Sequence, residues 1–208
     1  MNPSHSALRR LKEGNGRFAT DQQIQNQSSG AARRNALVDS QGPFAIILGC
    51  SDSRVPAEIV FDQGLGDLFV IRVAGNIVAP SQIGSVEFAA TQFGISLVVV
   101  MGHSNCGAVH ATLDALQNSR EEISPNITAI VERIRPAIEP LLESGHCRDQ
   151  AGLMDDAVRA NIAASVSQLS HGSEILEKMI SEGRLLVVGA EYSLKSGLVE
   201  FLYAETEP

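Results

Sequence analysis

The sequence predicts an α/β fold: a mostly parallel open β-sheet flanked by helices, preceded by a helical arm and closed by an antiparallel edge strand near the C-terminus. Three observations predict it. Short, nearly all-apolar runs recur along the chain, as in strands buried on both faces. Segments of helical spacing separate those runs, which favours parallel pairing through right-handed crossovers. The 208 residues, 44% apolar and 19% charged, suffice for one sizeable core and fall short of two ordinary ones. Residues 1–208 therefore read as one domain, with 1–40 as the arm and 41–208 as the α/β core.

The arm holds Leu8, Leu11 and Phe18 as its strong apolar anchors. These are too few to bury a helix alone, so the arm must pack on another part of the protein or on a partner subunit. Residues 44–48, 68–71, 97–101 and 185–188 are the buried-strand candidates. Between the second and third, Val86, Ala89, Ala90 and Phe93 share one helical face, and Val109, Leu113 and Leu116 repeat the pattern after the third. Ser124 followed by Pro125 reads as an N-cap with proline at the first helical position. A long helix through Val158, Ile162, Val166 and Leu169 ends near Gly172, where Ser173 can cap a short successor. Lys195-Ser196-Gly197 is a turn signal ahead of an edge strand at 198–203.

Composition narrows the function. A net charge of −8 and a pI near 5.1 disfavour a nucleic-acid partner, which asks for a basic face. No apolar run approaches the length of about 20 residues that spans a bilayer, so no membrane partner is expected. Met1-Asn2-Pro3-Ser4-His5 shows no basic-then-apolar leader pattern, and the expectation is a cytoplasmic protein. Three cysteines, at 50, 106 and 147, are odd in number and too sparse for a disulfide scaffold.

Two strand candidates end in polar clusters, Cys50-Ser51-Asp52-Ser53-Arg54 and Gly102-His103-Ser104-Asn105-Cys106-Gly107. Ligands of open α/β sheets bind beyond the carboxyl ends of the strands. If the two strands are parallel neighbours, Cys50, His103 and Cys106 converge. Two thiolates and an imidazole suit zinc and leave a fourth tetrahedral position open, the mark of a catalytic rather than a closed structural site. Cys106 falls where the next helix begins, and its N-terminus favours a thiolate. Asp52 and Arg54, two residues apart, share one side of an extended backbone and can pair. The carboxylate then either binds the metal and closes the site or is held away by Arg54 to accept a hydrogen bond.

At these residues the sequence resembles the beta-class carbonic anhydrases. Cys50, Asp52 and Arg54 match a Cys-x-Asp-x-Arg motif, and His103 and Cys106 match the His-x-x-Cys motif that follows it. The likeness extends to the arm at 8–18, to 67–76, to 83–88 and to 188–192. The resemblance implies reversible hydration of carbon dioxide to bicarbonate and a proton, by attack of hydroxide on one Zn²⁺ per chain. Cys50, His103 and Cys106 would be the ligands, Asp52 and Arg54 the catalytic dyad, and Gly107 a backbone donor to bicarbonate. Gln63 stands close to a pocket glutamine of the plant-like branch, although an ungapped count from Cys50 places that glutamine on Gly64. Phe88 would supply part of the apolar pocket, across a subunit interface, in a homodimer or homotetramer. An inhibitory bicarbonate site of some bacterial members uses a tryptophan; this chain has none, although Arg72 stands at the matching basic position. His110, one turn past Cys106, reads as an exposed helix histidine before a proton shuttle. Competing readings are a carbonyl sulfide or carbon disulfide hydrolase on the same scaffold and a zinc protein without turnover. A nucleotide-binding α/β protein lacks its glycine-rich signature.

Overall fold

The computed structural model of the protein describes residues 2–24, 30–117, 124–143 and 150–202. Five strands, β1 (Ala45–Gly49), β2 (Leu68–Arg72), β3 (Leu97–His103), β4 (Leu186–Tyr192) and β5 (Val199–Phe201), form one sheet in the order β2-β1-β3-β4-β5. The first four are parallel and β5 runs antiparallel to β4, as expected. The strands continue past the apolar runs that announce them. Gly102 pairs with Glu191 and His103 with Tyr192, because the backbone ladder tolerates small and polar residues that hydrophobic patterning cannot register. The last strand is shorter than expected, and Tyr203 lies outside the described residues.

Alternation along β1 and β3 divides the core. Ile46, Leu48, Val98 and Val100 face α4 (Pro80–Phe93), α5 (Gly107–Gln117), α6 (Pro125–Glu143), α7 (Gln150–His171) and α8 (Glu174–Ser181). Ala45, Ile47, Leu97, Val99 and Met101 face α1 (Pro3–Ala19) and α3 (Ala57–Val60), while α2 (Ala31–Ala36) buries none of its residues. The helix ends follow their local chemistry. Ser124 Oγ accepts the Ile127 N–H and Ser173 Oγ accepts the Leu176 N–H. Gly94 ends α4 with φ of +63°, where a side chain would be strained. Pro136 and Pro140 sit inside α6 on its exposed side.

The arm docks on its own chain. Ala7, Leu8 and Leu11 are buried against the sheet, and Asn15, itself buried, donates to the carbonyls of Val60 and Gly197 and accepts the Val199 N–H. Polar contacts thus supply what three apolar anchors could not. Arg17 pairs with Asp62 at 2.6 Å and Arg10 with Asp67 at 3.1 Å. Gly14 permits this approach: a Cβ there would collide with the Phe61 carbonyl oxygen, which is backbone and cannot yield. Among the described residues, no helix is long and apolar enough to cross a membrane.

Candidate metal centre

β1 and β3 are parallel neighbours in the register Gly49↔Met101. Cys50, directly after β1, and His103, the last residue of β3, therefore emerge at the same carboxyl edge, and Cys106 returns to them at the start of α5. Their ligand atoms all lie within 4.8 Å of one another. The three residues are 4%, 0% and 1% exposed, so the group is shielded from bulk water.

Each ligand atom is aimed by backbone. Cys50 Sγ accepts the N–H groups of Asp52 and Gly75, each at 3.4 Å. Gly75 has φ of +68°, and a Cβ there would stand 2.8 Å from Ile134 Cδ1 and 2.9 Å from Ala108 Cβ, so glycine is required on both counts. Arg72, at the end of β2, donates Nε to the Cys50 carbonyl at 2.9 Å and Nη2 to the Asp52 carbonyl at 2.5 Å, clamping the ligand loop. His103 Nδ1 lies 2.9 Å from the Ser104 carbonyl, which fixes Nδ1 as the protonated nitrogen and leaves Nε2 with a free lone pair. Ser104 is in turn held by its N–H to Tyr192 O and by its Oγ from Leu194 N–H. Asn105 takes φ of +54°, reversing the chain so that Cys106 Sγ meets the N–H groups of Ala108 and Val109 in the first turn of α5.

Cys50 Sγ and Cys106 Sγ are 4.0 Å apart. The hydrogen bond from Cys106 pulls the Cys50 thiol down to about 4, against the opposing effect of burial, while the same bond, burial and the neighbouring charge push Cys106 up. Asp52 pairs with Arg54 in a bidentate contact, Nε to Oδ1 at 2.9 Å and Nη2 to Oδ2 at 2.7 Å. The pairing is as expected but its route differs. Asp52 Oδ1 accepts the Arg54 N–H and the Asp52 carbonyl accepts the Val55 N–H, so a tight turn, not extended backbone, brings the two together. Arg54 holds the Asp52 carboxyl well below the usual carboxylate range.

These residues fit a zinc ion. His103 Nε2 is buried with no hydrogen-bond partner among the described residues, a cost that a metal would remove. Two sulfurs at about 2.3 Å from one tetrahedral centre stand roughly 3.8 Å apart, close to the spacing seen between Cys50 and Cys106. Asp52 is not in the convergent group, but its Oδ2 is 3.9 Å from His103 Nε2, so the carboxylate borders the site rather than filling it.

Gly107 adjoins the group as the first residue of α5. Gln63 does not reach it. Its Oε1 accepts from Arg10 Nε, and that guanidinium lies 4.0 Å over the Phe44 ring and pairs with Asp67. Phe44 and Asp67 precede β1 and β2, which places Gln63 at the amino edge of the sheet, opposite Cys50. Phe88 is also apart: 52% exposed, it packs on Phe93 and on Phe69 near the start of β2. His110 is exposed and pairs with Asp114. Cys147 lies outside the described residues. Sequence reasoning did not find the roles of Gly75 and Ser104, which act through backbone atoms. The Gly75-Asn76 pair, three residues past the end of β2, was the one available signal, since both residue types favour a left-handed turn.

The family model described as carbonic anhydrase matches residues 45–199. A carbonic anhydrase of Mycolicibacterium smegmatis is 40% identical over 195 residues, covering 94% of this chain and 91% of that one. Carbonic anhydrase 2 of Mycobacterium tuberculosis is 39% identical over 192 residues, covering 92% and 89%. Among solved structures, the beta-carbonic anhydrase of Coccomyxa superimposes with a TM-score of 0.71 at 26% identity, covering 81% of this chain and 75% of that one. A tetrameric beta-carbonic anhydrase of Sordaria macrospora shares the fold across 100% of both chains, with a TM-score of 0.75 at 23% identity.

Proposed function

The chain belongs to the beta-class carbonic anhydrases and is accordingly an enzyme, a carbonate dehydratase; from that premise we propose that it hydrates carbon dioxide reversibly with one Zn²⁺ held by Cys50, His103 and Cys106. The observation that carries this reading is the buried convergence of two sulfurs with an unpartnered imidazole nitrogen. Zinc in that position would supply Lewis acidity that makes water a competent nucleophile near neutral pH.

The remaining work falls to the protein. Asp52, kept ionised by Arg54, can only accept hydrogen bonds, so its Oδ2 orients the attacking water with O–H toward the carboxylate and a lone pair toward carbon. Its bidentate pairing with Arg54 would keep that carboxylate from becoming a further ligand to a bound ion. Gly107, the first residue of α5, would donate its N–H to the oxygen on which negative charge develops. Carbon becomes bonded to the water oxygen, and the proton lost from that water leaves to solvent as bicarbonate departs.

Metal analysis joined to parallel assays tests the reading. Purified enzyme is expected to hold about one zinc per chain and to hydrate carbon dioxide in preference to hydrolysing carbonyl sulfide or carbon disulfide. Preference for a sulfur substrate would move it to that hydrolase activity, and zinc without turnover would make it a non-catalytic zinc protein.

We also read the chain as a homo-oligomer with a dimer as its smallest unit. Strand β2 is an edge strand with apolar, half-buried Phe69, Val70 and Ile71, and Phe88 stands exposed beside it. Such an edge needs cover. Light scattering should return a multiple of the 22.1 kDa chain mass; a mass of 22.1 kDa at micromolar concentration refutes the assembly.

A further inference from the structure

Helix α7 contributes Val158, Ile162 and Leu169 to the core, yet Asn161 and Ser165, each 2% exposed, lie in the same buried stripe. Burying two polar side chains against an apolar layer is costly unless each finds a partner. Both find theirs on one short turn. Asn161 Nδ2 donates to the Gly75 carbonyl at 2.8 Å, and Ser165 Oγ donates to the Asn76 carbonyl at 3.1 Å. Four residues apart, the two side chains stand one above the other on the helix and grip successive peptide units.

The turn needs that grip. Gly75 and Asn76 are consecutive residues in left-handed backbone, with φ of +68° and +44°, and no strand ladder takes up their carbonyls. The local backbone bond that closes the turn is Asn76 N–H to Val73 O. Its functional output is the Gly75 N–H, which donates to Cys50 Sγ. A hydrogen bond to a ligand sulfur orients it and stabilises its thiolate, and groups that aim a ligand in this way are commonly worth about 10- to 100-fold in metal affinity.

We infer that Asn161 is a positioning residue of the metal centre, acting through the Gly75 turn on Cys50, with Ser165 as its lesser partner. This rests on the proposed zinc site. Both residues bond to the turn and not to the candidate ligands. Their effect is exerted on the direction and basicity of one sulfur.

The test measures zinc affinity by competition with a chromophoric chelator, and the thiolate-to-metal absorption of the cobalt-substituted protein, in wild type, Asn161→Leu, Ser165→Ala and Leu169→Ala. Leu169→Ala removes a fully buried side chain of the same helix with no bond to the turn, so it should lower the melting temperature and leave both metal readouts unchanged. Asn161→Leu, close in volume but without a donor, should weaken zinc about 10- to 100-fold and alter the cobalt band. Ser165→Ala should fold readily and weaken zinc about 2- to 10-fold, as loss of one hydrogen bond implies. Wild-type affinity and spectrum in Ser165→Ala, together with the same in Asn161→Leu or its failure to fold, overturn the inference. Metal readouts that fall equally in Leu169→Ala overturn it too, since the effect would then be general helix packing. A wild-type protein that binds no zinc would instead refute the site itself, a separable result.

Discussion

Cys106→Ser is expected to lose zinc and carbon dioxide hydration together while remaining folded. A serine hydroxyl does not ionise near neutral pH and is a poor replacement for a thiolate toward zinc, so the ligand set falls from three to two. The same substitution is gentle on the fold. Cys106 Sγ meets the N–H groups of Ala108 and Val109 at the start of α5, and serine is among the best residues for that capping position. Circular dichroism should therefore match wild type, metal analysis should find zinc nearly absent, and stopped-flow hydration should drop by on the order of 1000-fold or more, the scale set by losing metal-activated water. Stoichiometric zinc with activity within tenfold of wild type would sink the assignment of Cys106.

Asp52→Asn should show the opposite pairing, zinc retained and turnover lost. Asparagine preserves the shape and one oxygen, but it replaces an acceptor by an N–H₂ that cannot receive the water proton in a hydrogen bond. Loss of a positioned acceptor of this kind typically costs about 100- to 10,000-fold. The pH dependence is the sharper readout. Arg54 depresses the Asp52 carboxyl, so its ionised, paired form is fully present above the ordinary carboxylate pKa and is lost only as pH falls through a still lower value. Between about pH 6 and 9 it contributes no titration, and the variant should keep the shape of the wild-type rate profile at a reduced height. Loss of zinc from this variant would show that Asp52 is itself a ligand.

Much of this was legible from residues alone. Four apolar runs separated by helical segments sufficed for a parallel sheet, and two polar clusters at strand ends sufficed for the convergence of Cys50, His103 and Cys106 once β1 and β3 proved to be neighbours. What escaped notice has a common cause. The Gly75 N–H and the Ser104 carbonyl are backbone groups, identical in every residue, and only the fold decides where they point. The docking of α1 depends on Asn15 and Gly14, a polar side chain and a missing one, which hydrophobic patterning does not register. Gln63 and Phe88 matched a family pattern, yet their own chain places them with Arg10 and with Phe69, because resemblance of sequence does not specify which copy of the chain completes a pocket.

Asn15 has a consequence for the order in which the chain acquires its structure. Its bonds to Gly197 and Val199 join residues 182 and 184 positions apart. Helix α1 leaves the ribosome well before β5, but its seat is finished only when β5 has paired with β4, 182 to 184 positions later. An element made long before its partner is thus locked only after that partner forms, and until then a helix with an apolar stripe waits without its final cover.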